Sequence, residues 1–198
     1  MPRRSGEDAA QAVCQNADME TLRGSLLLAA GGLFDPNFRR TVVLIAEHGA
    51  EGALGLVLNR PAKVRVQDAA PLLSGLVEPE APLFVGGPVQ PEAALVVAEF
   101  TDPVFADRPV VGAVGFADPD LDPTLVQGIV RARVFAGYSG WGPGQLEGEM
   151  GESAWIVEPA LPDDVFTLEP ERLWMSVLRR KGGAYRMLSL MPDDPSSN

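Results

Sequence analysis

Gly137-Tyr138-Ser139-Gly140-Trp141-Gly142-Pro143-Gly144-Gln145-Leu146-Glu147-Gly148-Glu149 is the stretch on which the reading of this chain turns. Five glycines and a proline in thirteen residues prescribe an unusual backbone around two large aromatic rings. Glycine is needed where φ is positive or where another group approaches the main chain closely. Upstream, Arg133 to Tyr138 is strand-like and delivers the chain into this segment. Downstream, Pro143 suits the first turn of a short helix running to about Met150. The segment is therefore a strand-to-helix passage with special backbone positions around two aromatic rings.

Two more glycine-bearing segments fall at strand ends: Gly55-Leu56-Val57-Leu58-Asn59-Arg60-Pro61 and Val85-Gly86-Gly87-Pro88-Val89. Around them the chain reads as mixed strands and helices. Gly24 to Ala30 is a buried strand. Gly31 to Phe38 is a loop by its Gly, Pro and Asn content. Thr41 to His48 and Ala53 to Asn59 form a hairpin across Gly49 to Gly52, ended by Pro61. Val66 to Leu73 is a short helix around Pro71. Leu83 to Gly86, Ala94 to Phe100, Val110 to Phe116 and Ala154 to Val157 are further strands. Asp122-Pro123 is a helix start, with Leu125, Val126, Ile129 and Val130 on one face. Pro170 opens the clearest helix, which places Leu173, Trp174, Val177 and Leu178 on its apolar stripe and stops at Gly182-Gly183. Several strands are hairpin neighbours and strict βαβ alternation is missing, which gives an α+β class.

With 198 residues the chain suffices for one hydrophobic core. We expect a flexible tail over residues 1–21, a single domain over residues 22–198, and an extended terminus from Pro192. No apolar run reaches the ~18 residues of a membrane span, and the N-terminus lacks a secretory pattern, so a cytoplasmic protein with no membrane association is expected. The formal net charge of −11 opposes direct binding to nucleic acid. Arg39 and Arg40, Arg131 and Arg133, and Arg179-Arg180-Lys181 read as solvated edges and a helix C-terminus. Cys14 is the only cysteine and His48 the only histidine, so thiolate zinc sites are excluded and no metal site or cofactor is expected.

The order and spacing of these segments resemble the AlgH/YqgE family of small bacterial proteins. Gly24 to Ala29, Phe34-Asp35-Pro36-Asn37-Phe38, Glu47-His48 before Gly52-Ala53-Leu54-Gly55, and the terminus from Pro192 match as well, so the resemblance runs from about Leu22 to Asn198. It implies an α+β fold with a mixed, largely antiparallel, bifurcated sheet, part of it barrel-like, surrounded by helices. One branch of the family is described as a transcriptional regulator, but the family carries no accepted catalytic residues, substrate or cofactor. No helix-turn-helix is present here, so regulation would run indirectly through a small ligand or a protein partner.

The candidate groove is walled by the glycine segments and carries Asn59, Gly86, Gly87, Tyr138, Trp141, Gln145 and Glu147. Each has a plain structural role beside the functional one. Asn59 can satisfy a turn, Gln145 and Glu147 can cap a helix, and Trp141 can line a cleft or plug the core. Catalytic residues stay unknown. An enzymatic alternative would use Glu147 near Asn59, with its pKa raised by burial. Ser139 lies in Gly-Tyr-Ser-Gly-Trp rather than a nucleophile elbow.

Overall fold

The computed structural model describes residues 21–30, 39–118 and 128–190. The expected N-terminal tail apart from Thr21, the Gly31 to Phe38 loop, the helix start at Asp122 and the terminus from Pro192 lie outside them.

Ten strands form the centre: β1 (Ser25–Ala29), β2 (Val42–Gly49), β3 (Gly52–Val57), β4 (Pro61–Arg65), β5 (Pro82–Val85), β6 (Val89–Phe100), β7 (Arg108–Val111), β8 (Val114–Ala117), β9 (Ile129–Trp141) and β10 (Trp155–Pro159). The helices are α1 (Val66–Ala69), α2 (Gln145–Gly151), α3 (Pro162–Val165), α4 (Leu173–Lys181) and α5 (Gly183–Leu188). The main ladder runs β10-β1-β2-β3-β9-β6-β8-β7, and β4 and β5 branch from it. The fork is at β9. Its end, Ser139 to Trp141, pairs with β3, while Phe135 and Ala136 pair with β5 in the one parallel contact among the described ladders. This is the α+β, largely antiparallel, bifurcated sheet expected.

The ladder is not closed into a barrel, yet it curls that way. β7 returns to the start of the sheet, where Arg108 pairs with Glu47 and the carbonyl of Val110 faces Gly24. The other margin, β10, is capped by cations: Lys181 Nζ donates to Val157 O at 2.8 Å and Arg180 Nη2 to Pro159 O at 3.2 Å. These charged side chains occupy acceptors that an unprotected edge strand would offer to another chain.

β1 shows why the central strands read as continuous apolar runs. Leu26 and Leu28 enter one core with Val42, Leu44, Leu56, Phe135 and Trp174. Leu27 and Ala29 enter a second, with Val43, Ile45, Trp141, Leu146 and Trp155. Successive side chains point to opposite faces, so a strand covered on both sides loses its polar alternation. A third cluster, including Val66, Leu73, Val96, Ala98 and Val134, lies on the other side of β6 and β9.

Several boundaries differ from the sequence reading. Pro61 starts β4 rather than ending strand structure, a position proline tolerates because the first residue need not donate. Val110 to Phe116 is a hairpin, not one strand, because Gly112 at φ 57° turns the chain between β7 and β8. Ile129 and Val130 open β9 instead of lying on a helical face. α4 buries Leu173, Trp174, Val177 and Leu178 as expected and ends at Gly182, but α5 follows at once.

Candidate functional site

The three glycine segments do meet. Gly86 N donates to Ala136 O, Val57 N donates to Gly86 O, and Ser139 Oγ donates to Gly86 O. The meeting is a packed crossing. A Cβ on Gly86 would sit 2.2 Å from Gly137 O, one on Gly87 2.2 Å from the Tyr138 carbonyl carbon, and one on Gly137 2.7 Å from Gly87 O. The glycines at Gly86, Gly87 and Gly137 thus let main chains touch, and the hollow expected between them is filled by backbone. Tyr138, beside it, packs half-buried against the main core.

Asn59 stands apart from the later candidates. Its Oδ1 accepts from Val42 N at 2.9 Å and its Nδ2 donates to Arg40 O at 2.8 Å, so the buried amide clamps the chain entering β2. Glu147 meets the other end of β2, at His48. Six residues of strand separate Val42 from His48, about 20 Å. The alternative in which Glu147 works beside Asn59 is therefore corrected by distance.

Around α2, Trp141 and Gln145 meet on Glu149, while Glu147 reaches His48 instead. A register shift in β2 between Ile45 and Glu47 sets this up. Without it, Ile45 and His48 would face opposite ways; with it, His48 pairs with Ala53 and shares the second core's face with Ile45. Glu47, now opposite Leu54, turns the other way and reaches Arg108. His48 Nε2 lies 2.9 Å from Glu147 Oε1, with the imidazole side chain only 4% exposed and the Glu147 side chain 39%. His48 Nδ1 faces the N–H of Leu22 at 3.1 Å and must accept, so the ring proton sits on Nε2 and points at Glu147.

Beside this pair, one carboxylate organises two indoles. Trp141 Nε1 donates to Glu149 Oε2 at 3.0 Å and Trp155 Nε1 to the same oxygen at 2.8 Å. The rings meet edge to face, centroids 6.3 Å apart, and both are buried. Gln145 Nε2 donates to Glu149 Oε1, and Gln145 Oε1 accepts from Gly142 N. Trp141 therefore plugs the core beneath the loop rather than lining an open cleft. Gln145, Gly142 and Gly144 lie at the surface above it. Glu149 and Trp155 were not among the expected site residues; the available signal was a run of three carboxylates, Glu147, Glu149 and Glu152, between two tryptophans.

The carboxyl of Glu147 is held below its ordinary range chiefly by a hydrogen bond from its own backbone N–H; burial opposes this, and His48 adds a lesser lowering. The enzymatic alternative needed the opposite shift. Glu147 is an anion at neutral pH.

This arrangement, a forked sheet with a braced strand-to-helix passage, defines the class. The profile of the AlgH-like family matches residues 26–186, and the chain belongs to that family. A UPF0301 protein of Streptomyces coelicolor is 45% identical over 188 residues, 91% of this chain and 97% of that one. A UPF0301 protein of Mycobacteroides abscessus is 45% identical over 184 residues, 88% of this chain and 87% of its own. Among solved structures, the crystal structure of a Corynebacterium diphtheriae protein superposes with a TM-score of 0.77 at 29% identity, covering 85% of this chain and 92% of that one. The solution structure of the AlgH protein of Pseudomonas aeruginosa gives 0.65 at 27% identity, covering 97% and 98%. No helix among the described residues is long and apolar enough to cross a membrane.

Proposed function

We propose that this AlgH-like chain is a non-enzymatic, cytosolic regulatory protein that acts by binding a small ligand or a protein partner on the surface formed by Gly142 to Glu149. Its effect on transcription, if any, is then indirect. The observation that carries this reading is the bracing of α2. A seven-residue helix is too short to hold itself in water. Here it is held by His48 on one side and by two buried indoles through Glu149 on the other. Such bracing fixes the exposed groups of Gln145 and Glu147 in place before anything binds, and pre-organisation lowers the cost of association. Gln145 contributes adaptable amide chemistry and Glu147 a fixed negative charge.

The lowered pKa of Glu147 disfavours general acid work by this residue, which needs the opposite shift. Trp141 and Trp155 beneath the surface supply the test. Titration of the full chain with a panel of metabolites and candidate partners, read by Trp emission and by melting temperature, should give a saturable change for at least one compound. Glu147→Lys should abolish that change with the fold intact by circular dichroism. A panel that moves neither signal would remove the reading.

A further inference from the structure

At the other end of β9 the sheet has an unfilled edge. A cavity of about 250 Å³ lies between the loop Gly75 to Glu78 and the stretch Ile129 to Ala132. Gly86 N donates to Ala136 O, so Ala136 turns its main-chain groups away from β6 and toward β5. Alternate residues of a strand turn alike, so Val134 and Ala132 do the same. β5, however, starts only at Pro82, and its ladder with β9 covers Phe135 and Ala136. The N–H and C=O of Ala132 therefore face the cavity, and no described hydrogen bond from the Gly75 to Glu78 loop reaches them. Just before it, β9 skips a residue against β6, with Glu99 opposite Arg131 and Phe100 opposite Ile129, which sets Val130 out of the ladder and leaves its side chain exposed.

We propose that this edge takes a short extended peptide from a partner protein, added as a strand beside Val130 to Ala132, in line with β5. Main-chain bonds to Ala132 would supply the pairing, and Leu76 and Val77 an apolar seat for one side chain. The partner segment is basic. Glu78 stands on the rim, the whole chain carries −11, and the guanidinium of Arg131 is already neutralised by Glu99 at 2.6 Å and Asp163 at 2.7 Å. The volume limits the seated part to two or three residues. This site is separate from the α2 surface: Ala132 and Trp141 are nine residues apart on one strand, about 30 Å.

The test uses the isotope-labelled full chain and the capped peptide acetyl-Lys-Val-Lys-Val-Lys-amide. Saturable amide shifts centred on Val130 and Ala132, with slowed hydrogen exchange at Ala132, are expected. The same peptide N-methylated at all five residues keeps its side chains and loses the backbone N–H donors of those residues, and it should bind about tenfold more weakly or worse. Gly75→Phe should abolish the shifts. A Cβ at Gly75 meets nothing within 4 Å, so there is room for a side chain to start at the rim of the cavity. Glu78→Lys should weaken binding by about fivefold. Absence of shifts at Ala132 with millimolar peptide, or equal binding of the N-methylated peptide, would overturn the proposal. Shifts that appear with protein concentration alone would mark a second copy of the chain as the occupant and overturn the basic partner.

Discussion

His48 and Glu147, 99 positions apart in sequence, meet at 2.9 Å and tie the end of β2 to the first turn of α2. The imidazole also accepts the N–H of Leu22 through Nδ1, so one nearly buried ring joins three segments. His48→Phe would leave the Leu22 N–H without its acceptor and Glu147 without its partner. We expect a loss of about 1–3 kcal/mol in chemical denaturation, the cost of an unsatisfied buried donor. Replacement of Glu147 by Gln should cost less than 1 kcal/mol, or about that, since its side chain is largely solvated.

Glu147 carries a pH dependence, set first by the hydrogen bond from its own backbone N–H and less by His48. The pKa of Glu147 is lowered in the folded protein from its ordinary 4.5. Its contribution is thus fully present above that ordinary value and fades as pH falls through the lowered one. Denaturation midpoints of the parent chain and Glu147→Gln should differ near neutrality and converge in strong acid. Equal differences at every pH would show that the ionised carboxylate plays no part.

Glu149 is the more sensitive position. Removing its carboxylate in Glu149→Ala strands two buried indole N–H groups, and about 2–4 kcal/mol of stability should go with them. Glu149→Gln retains an acceptor oxygen and should recover part of that loss. Trp emission should shift to the red in the Ala variant, as water reaches the rings of Trp141 and Trp155.

At the glycine crossing, Gly87→Ala would drive a methyl carbon to 2.2 Å from the backbone of Tyr138 and 2.3 Å from Ser139 N. Backbone cannot rotate away as a flexible side chain can. We expect a loss above about 4 kcal/mol, seen as failure to accumulate in soluble form. Gly148→Ala, where a Cβ meets nothing within 4 Å, is the matched control and should be neutral or slightly stabilising.

Arg133 carries a cost that a substitution can relieve. It was expected at a solvated edge, yet it lies over the Phe84 ring at 4.0 Å from its centroid, with Nη2 donating to Thr167 O and Nη1 buried without a hydrogen-bond partner among the described residues. Burial, aided by Arg131, lowers its pKa to about 10, so it stays charged at neutral pH. Arg133→Met keeps the packing and removes the buried charge. Its melting temperature should equal or exceed the parent's, because an apolar replacement of similar volume often costs nothing.

The sequence carried the architecture where a local rule dictated it. The apolar runs of β1 to β3, the stripe of Leu173, Trp174, Val177 and Leu178, and the strand-to-helix passage at Pro143 all follow from periodicity and turn chemistry. Boundaries failed where proline or glycine had two readings: Pro61 as an ending or a first strand residue, Gly112 as strand interior or turn. The site was half legible. Trp141, Gln145 and Glu147 lie close in sequence on and beside α2, the first two joined through Glu149, whereas Asn59 was grouped with them only because its segment also bears glycine. His48 was invisible as their partner, since its facing depends on a one-residue bulge in β2 that no alternation pattern in the sequence announces.

If the occupant of the surface over α2 is a protein rather than a small ligand, that protein meets Gln145 in the cell. Site-specific photo-crosslinking tests it most directly, with a photoreactive residue at exposed Gln145 and, as control, at exposed Glu171 on the far side of the sequence. Discrete adducts are expected from position 145 that are missing at 171 and lost when Glu147→Lys is added. The same diffuse background at both positions would contradict it.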